Sequence, residues 1–151
     1  RMKHFFTDTF VVVYGDILAN FNLRDMIRFH QEKAAIATMA VFEMPNSWEV
    51  GVAQVNEDDR VLSFIEKPPR GLSVGSLANG GVYVLEPAVL THISDSGHPD
   101  FAYDVFPKLL EIGAPIYGYR LRQEDYLIDI GTVDKYNRAN QDVKAGKLRG
   151  G

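Results

Sequence analysis

The sequence predicts an α/β domain built on a mixed, mostly parallel sheet flanked by helices. Short β-branched and aromatic runs recur along the chain and stop at turn-forming residues. A helical stretch joins two of those runs within about 35 residues, the form of a parallel crossover unit. Two further runs lie close enough together for a hairpin, which adds antiparallel pairing and makes the sheet mixed.

Residues 9–14 form the first run, a buried strand ended by Gly15-Asp16. Asn22 is a good N-cap for a helix to about Glu32, with Leu23, Met26, Ile27 and His30 on one side. Residues 34–42 are the returning strand. Residues 50–55 and 61–66 flank Asn56-Glu57-Asp58-Asp59-Arg60, a polar link suited to a hairpin with a type I-based turn. Residues 68–76 carry prolines, glycines and serines and read as loop. Residues 77–85 are again a strand, and Gly80-Gly81 inside it signals a bulge or a close ligand approach. Pro87 can open a short helix to about Ile93. Residues 101–111 have helical spacing that Pro107 must kink or break. Residues 116–121 and 126–130 are strands. Thr132 caps a closing helix over 133–145, with Gly146 beyond its end.

The 151 residues fit one domain, and an apolar share of 46% supplies a core for it. A net charge of −4 with scattered Lys and Arg speaks against nucleic acid as a partner. No apolar run approaches the ~20 residues that span a bilayer, so no membrane segment is expected. The absence of cysteine excludes disulfides and thiolate metal sites; it is compatible with a reducing compartment without establishing one, and a cytoplasmic location is the expectation.

The chemistry rests on three places. Asp16 follows a buried strand at the carboxyl edge, where open α/β sheets bind ligands, and Gly15 lets a bulky group approach. Asp129 lies in the apolar run Leu127-Ile128-Asp129-Ile130, where an ionised carboxylate needs a cation, a hydrogen bond or an exit from the core. Phe64-Ile65-Glu66-Lys67-Pro68-Pro69 delivers a lysine to a loop; Pro68 predicts an extended Lys67, and strand alternation sends Glu66 and Lys67 to opposite sides. Two carboxylates sharing a divalent cation, with an amine for a phosphate, are minimum equipment for phosphoryl or nucleotidyl transfer. Each place has a plainer reading: Gly15-Asp16 as a turn, Asp129 as a helix cap, Glu66-Lys67 as a solvated pair. His4, His30, His92 and His98 show no metal-ligand spacing, and Trp48 suits a partly buried anchor or a stacking platform.

The order of motifs is more specific. Val13-Tyr14-Gly15-Asp16, Glu49-Val50-Gly51-Val52, Phe64-Ile65-Glu66-Lys67-Pro68, Asn79-Gly80-Gly81-Val82-Tyr83-Val84-Leu85, Asp104-Val105-Phe106-Pro107-Lys108-Leu109-Leu110 and Asp129-Ile130-Gly131-Thr132-Val133-Asp134-Lys135-Tyr136 follow one another. In these pieces the chain resembles the sugar-1-phosphate nucleotidyltransferases; residues 100–110 and the tail of the domain lean to the mannose-1-phosphate guanylyltransferase group, with the glucose-1-phosphate thymidylyltransferases close behind. The resemblance implies a truncated Rossmann-like nucleotidyltransferase domain, with residues 1–151 matching its sugar-phosphate-binding portion. It implies that Asp16 and Asp129 hold a catalytic Mg²⁺, that Lys67 binds the sugar phosphate, and that Glu66 accepts from a sugar hydroxyl. Gly51 would meet the sugar through its backbone, while Asn79 and Gly81 would line the sugar pocket. The implied substrates are a sugar 1-phosphate and a nucleoside triphosphate, with pyrophosphate leaving.

The family's glycine-rich loop after the first strand, which cradles the triphosphate, has no counterpart in these residues. A fragment of a full enzyme, a half that pairs with another chain, and a non-catalytic sugar-phosphate-binding or assembly module are the alternatives. Without the missing strands an apolar sheet edge would be exposed, so a homo-oligomer is expected.

Overall fold

The computed structural model describes residues 3–44, 48, 50–70, 77–94 and 97–148. Among these residues eight strands and three α-helices follow one another: β1 (Phe10–Val13), β2 (Ile17–Asn20), α1 (Leu23–Glu32), β3 (Ala37–Glu43), β4 (Val52–Val55), β5 (Val61–Ile65), β6 (Leu77–Leu85), α2 (Phe106–Glu111), β7 (Ile116–Arg120), β8 (Tyr126–Asp129) and α3 (Val133–Lys144). A 3-10 helix covers Pro87–His92, and a π-helical turn over Phe101–Val105 runs into α2. Pro107 falls in the first turn of α2, where its missing N–H breaks no bond. Loop residues 71–76 and the end of the expected 34–42 strand at Pro45 lie outside or at the border of the described residues.

The main sheet has the order β5-β4-β6-β3-β7, with β1 beside β4 on the same edge of β6. The α/β class and the mixed, helix-flanked sheet are as expected; a mostly parallel sheet is not what this span builds. Among the described residues only β3 and β7 pair in parallel, and the other ladders are antiparallel. The reason lies in β6. Strands β1 and β3, joined by α1, do run the same way, but β6 inserts between them and opposes both. Pattern along the chain reveals a crossover and not the strand that later enters it.

Burial follows from this arrangement. β6 is the central strand, and eight of its nine residues are buried. One sheet face packs Met39, Tyr83 and Leu85 against Phe106 and Leu109. The other packs Ala40, Val82 and Val84 against Met26 of α1. Tyr83 and Phe106 meet edge-to-face at 5.0 Å between ring centroids, a geometry their quadrupoles favour.

Local signals operate as anticipated at several ends. Asn22 Oδ1 accepts from the N–H groups of Arg24 and Asp25, and Thr132 Oγ1 from that of Lys135. Asn56 Oδ1 accepts from Asp58 and Arg60 N–H, closing the β4–β5 hairpin. At Gly80-Gly81, four residues of β6 span the two-residue step from Met39 to Val41 on β3, which is the expected bulge. Strand β3 starts at Ala37 rather than residue 34, because Ala34 leaves the helix in the left-handed region at φ 46°.

Strand β2 is the element that sequence patterning does not reveal. Its four residues are half-buried throughout and pair with β8 in a separate two-stranded ribbon.

Candidate active site

The β2–β8 ribbon is what brings the two aspartates together. Ile17 stands opposite Asp129 in the register, and Ile130 donates its N–H to the carbonyl of Asp16 at 2.8 Å. A Cβ on Gly131 would lie 3.0 Å from Asp129 Oδ1 and 3.2 Å from Asp16 Oδ2. Both carboxylates therefore reach one point in space, although their residues lie near opposite ends of the sequence. Gly131 keeps that point open.

Asp129 is firmly held. Oδ1 accepts from the Gly131 N–H at 2.6 Å, and Oδ2 from Lys135 Nζ at 2.8 Å. The Lys135 ammonium holds the Asp129 carboxyl below its ordinary range; partial burial opposes this and the Gly131 N–H adds to it. This answers the cost of a carboxylate in an apolar run: the side chain leaves the core and is paired.

A cleft of about 300 Å³ lies against this pair. Asp16, Gly51, Glu66, Lys67, Asn79, Gly81 and Asp129 all line it. They arrive from the ends of β1, β5 and β8, the strand edge before β4, and the bulge in β6.

Glu66 and Lys67 share the cleft rather than diverging. Lys67 is left-handed at φ 48°, not extended, with its N–H donated to Val50 O at 3.2 Å. That turn breaks the strand alternation, so neighbouring side chains face the same space. A non-glycine residue before proline in this region is strained, and such strain gathers at functional sites. Burial pushes the Glu66 carboxyl up; Lys67 pulls it down and Asp100 pushes it further up.

Asn79 and Gly81 shape the floor. Asn79 donates to Tyr83 Oη at 2.8 Å and accepts from Gly81 N at 3.1 Å, locking the bulge. Gly81 has φ 69°, and a Cβ there would press on Ile17 Cγ1 at 3.0 Å. Burial raises the Tyr83 and Tyr14 hydroxyls above their ordinary range, so both remain neutral donors at neutral pH.

Several lining residues escaped sequence reasoning. Tyr14, Asp100 and Tyr103 also face the cleft. Tyr14 belongs to the motif Val13-Tyr14-Gly15-Asp16, and the signal that could have found Asp100 is its residue type ahead of a helical run: its Oδ1 accepts from Ala102 and Tyr103 N–H. Tyr103 carries no sequence signal, since only the π-helical turn aims it there. None of the histidines lines the cleft, and His30 is buried between Thr38 and Glu86. Trp48 is half-buried and stays out of the cleft, with the Arg70 guanidinium 5.4 Å from its ring centroid.

Among the described residues no group of three or more His, Cys, Asp or Glu is placed to hold a metal ion. Two hard carboxylates that flank Gly131 and line one cleft are still the donor type that suits Mg²⁺, which takes one or two carboxylates and completes its shell with phosphates and water.

The fold matches that of a solved structure from Bacillus anthracis, assigned as a glucose-1-phosphate thymidylyltransferase and in complex with a sucrose. The TM-score is 0.77 at 20% identity, over 93% of this chain and 56% of that one. The chain belongs to the nucleotidyl transferase family, whose model matches residues 2–146. It is 34% identical to the UTP–glucose-1-phosphate uridylyltransferase of Synechocystis, over 96% of this chain and 37% of that protein. It is 32% identical to the glucose-1-phosphate adenylyltransferase of Clostridium acetobutylicum (88% and 36%) and to the mannose-1-phosphate guanylyltransferase of Mycobacterium tuberculosis (92% and 38%). The chain thus spans little more than a third of the length of these curated relatives. No helix among the described residues is long and apolar enough to cross a membrane.

Proposed function

We propose that residues 1–151 form the sugar-1-phosphate and metal side of a nucleotidyltransferase, which converts a nucleoside triphosphate and a sugar 1-phosphate into a nucleotide sugar and pyrophosphate. The observation that supports this reading is the convergence of seven residues from distant chain segments on one cleft. Asp16 and Asp129 would hold Mg²⁺, which neutralises charge on the phosphates when bound. Lys67 binds the sugar phosphate as a point charge. Glu66 accepts from a sugar hydroxyl, while Gly51, Asn79 and Gly81 give the sugar a close, shaped wall. The reaction needs no covalent intermediate; orientation and charge neutralisation supply the rate.

Mannose 1-phosphate with GTP is the pair we expect, from the resemblance of residues 100–110. Glucose 1-phosphate is the rival, because two of the three relatives named above carry glucose 1-phosphate in their names. The test is calorimetric titration of the chain with each sugar phosphate in Mg²⁺, followed by pyrophosphate release with GTP. Absence of binding to either sugar phosphate would sink the reading.

A second reading, an assembly module, has its own observation. Val11 and Val13 are exposed on β1, a strand that among the described residues pairs only with β6. Light scattering that shows a dimer, without sugar-phosphate binding, would favour it.

A further inference from the structure

Lys135 stands in an unusual place for a lysine. It is the third residue of α3, in the turn where the helix dipole disfavours a cation, typically by about 0.3–1 kcal/mol. Its main chain is anchored there by the Thr132 cap. Helix stability therefore does not account for it.

Among the described residues its ammonium makes one ion pair, with Asp129 Oδ2 at 2.8 Å. It approaches from behind. Lys135 lines a neighbouring hollow of about 290 Å³, with Ile128 and Arg138, and does not line the substrate cleft. The other oxygen, Oδ1, is fixed by Gly131 N–H and faces the point shared with Asp16 Oδ2. The two oxygens of Asp129 thus have separate tasks, one tied to the helix and one turned to Gly131 on the side of Asp16.

We propose that Lys135 is a positioning residue for the cation site: it pins Asp129 Oδ2 so that Oδ1 and Asp16 Oδ2 present a fixed pair of donors. This rests on the metal reading of Asp16 and Asp129. Outer partners that orient a metal's carboxylate ligands commonly change affinity 10–100-fold when removed. The direction is diagnostic. A lysine acting only as a nearby positive charge would repel the cation, so removing it would tighten binding. A positioning lysine has the opposite effect.

The experiment is Mn²⁺ binding to the full 151-residue chain by electron paramagnetic resonance, with no nucleotide present. Lys135→Met should weaken Mn²⁺ about tenfold or more, and Lys135→Arg should return it to within about threefold of the parent. The thermal midpoint should stay level, because the pair is 44% and 40% exposed and contributes little to folding. Unchanged or tighter Mn²⁺ binding in Lys135→Met overturns the proposal, and so does a large fall in midpoint accompanying the lost affinity. Asp16→Asn separates the two levels of the argument. If the parent binds Mn²⁺ no better than Asp16→Asn, the metal reading falls and takes this proposal with it. If the parent exceeds Asp16→Asn while Lys135→Met matches the parent, only the role of Lys135 is lost.

Discussion

Glu66 Oε2 occupies the space that a Cβ on Gly51 would need, and Phe64 Cζ lies only 2.5 Å from the same point. The glycine is thus the condition for a carboxylate at the cleft wall. Gly51→Ala should displace Glu66 and strain Phe64, destabilising the fold by about 1–3 kcal/mol. Chemical denaturation measures the loss, and calorimetry with a sugar 1-phosphate should show weakened binding. A variant with parental stability would mean that Glu66 and Phe64 move aside freely.

Lys67 allows a test that separates strain from charge. Lys67→Ala and Lys67→Gly both remove the ammonium, so both should weaken sugar-phosphate binding by about 1.5–3 kcal/mol, the range for a charge-assisted hydrogen bond. They should differ in stability. At φ 48° glycine escapes a strain of about 1–2 kcal/mol, and Lys67→Gly should melt above Lys67→Ala. Equal melting points would count against the left-handed geometry.

Glu66 sets a pH dependence. Burial raises its carboxyl, so in the folded protein it takes up a proton at a higher pH than an exposed glutamate does. Ionisation costs the fold stability as pH rises from the unfolded to the folded value; acidification through that window returns it. Sugar binding has the opposite sign, because the accepting carboxylate is lost on acidification. As pH is lowered, affinity should begin to fall while still above the ordinary glutamate range, and Glu66→Gln should remove that step while leaving the phosphate's own titration. A Glu66→Gln profile with the parental step would assign it to another group.

Asp129 behaves in the reverse sense. Its carboxyl is held low chiefly by Lys135, so its contribution to stability is present above the unfolded value and lost as pH falls through the folded one. The pair is part-exposed, and the effect on folding should be well under about 1 kcal/mol. Asp129→Asn and Asp16→Asn should therefore leave the melting point nearly level. In a protein containing this segment, metal-dependent turnover should disappear in both. Full activity in either variant would remove that aspartate from the metal site.

Much of the fold was legible because its signals are local. Asn22 and Thr132 mark helix starts through hydrogen bonds to residues two and three positions on. Gly80-Gly81 marked the bulge, because a Cβ would crowd Ala40 O at 3.0 Å at the first position and glycine meets least strain at φ 69° at the second. Strand β2 was not legible, since four half-buried residues hold no periodicity and its partner lies near the other end of the chain.

The sequence by itself determined most of the elements, the caps at Asn22 and Thr132 and the motif residues Asp16, Glu66, Lys67 and Asp129, through short-range backbone and side-chain preferences. The tertiary structure alone decided that β6 runs between β1 and β3, that Lys67 turns left-handed to join Glu66, and that Lys135 backs Asp129. Those outcomes depend on strand pairing and on packing between distant segments. Such contacts exist only once the chain has closed on itself.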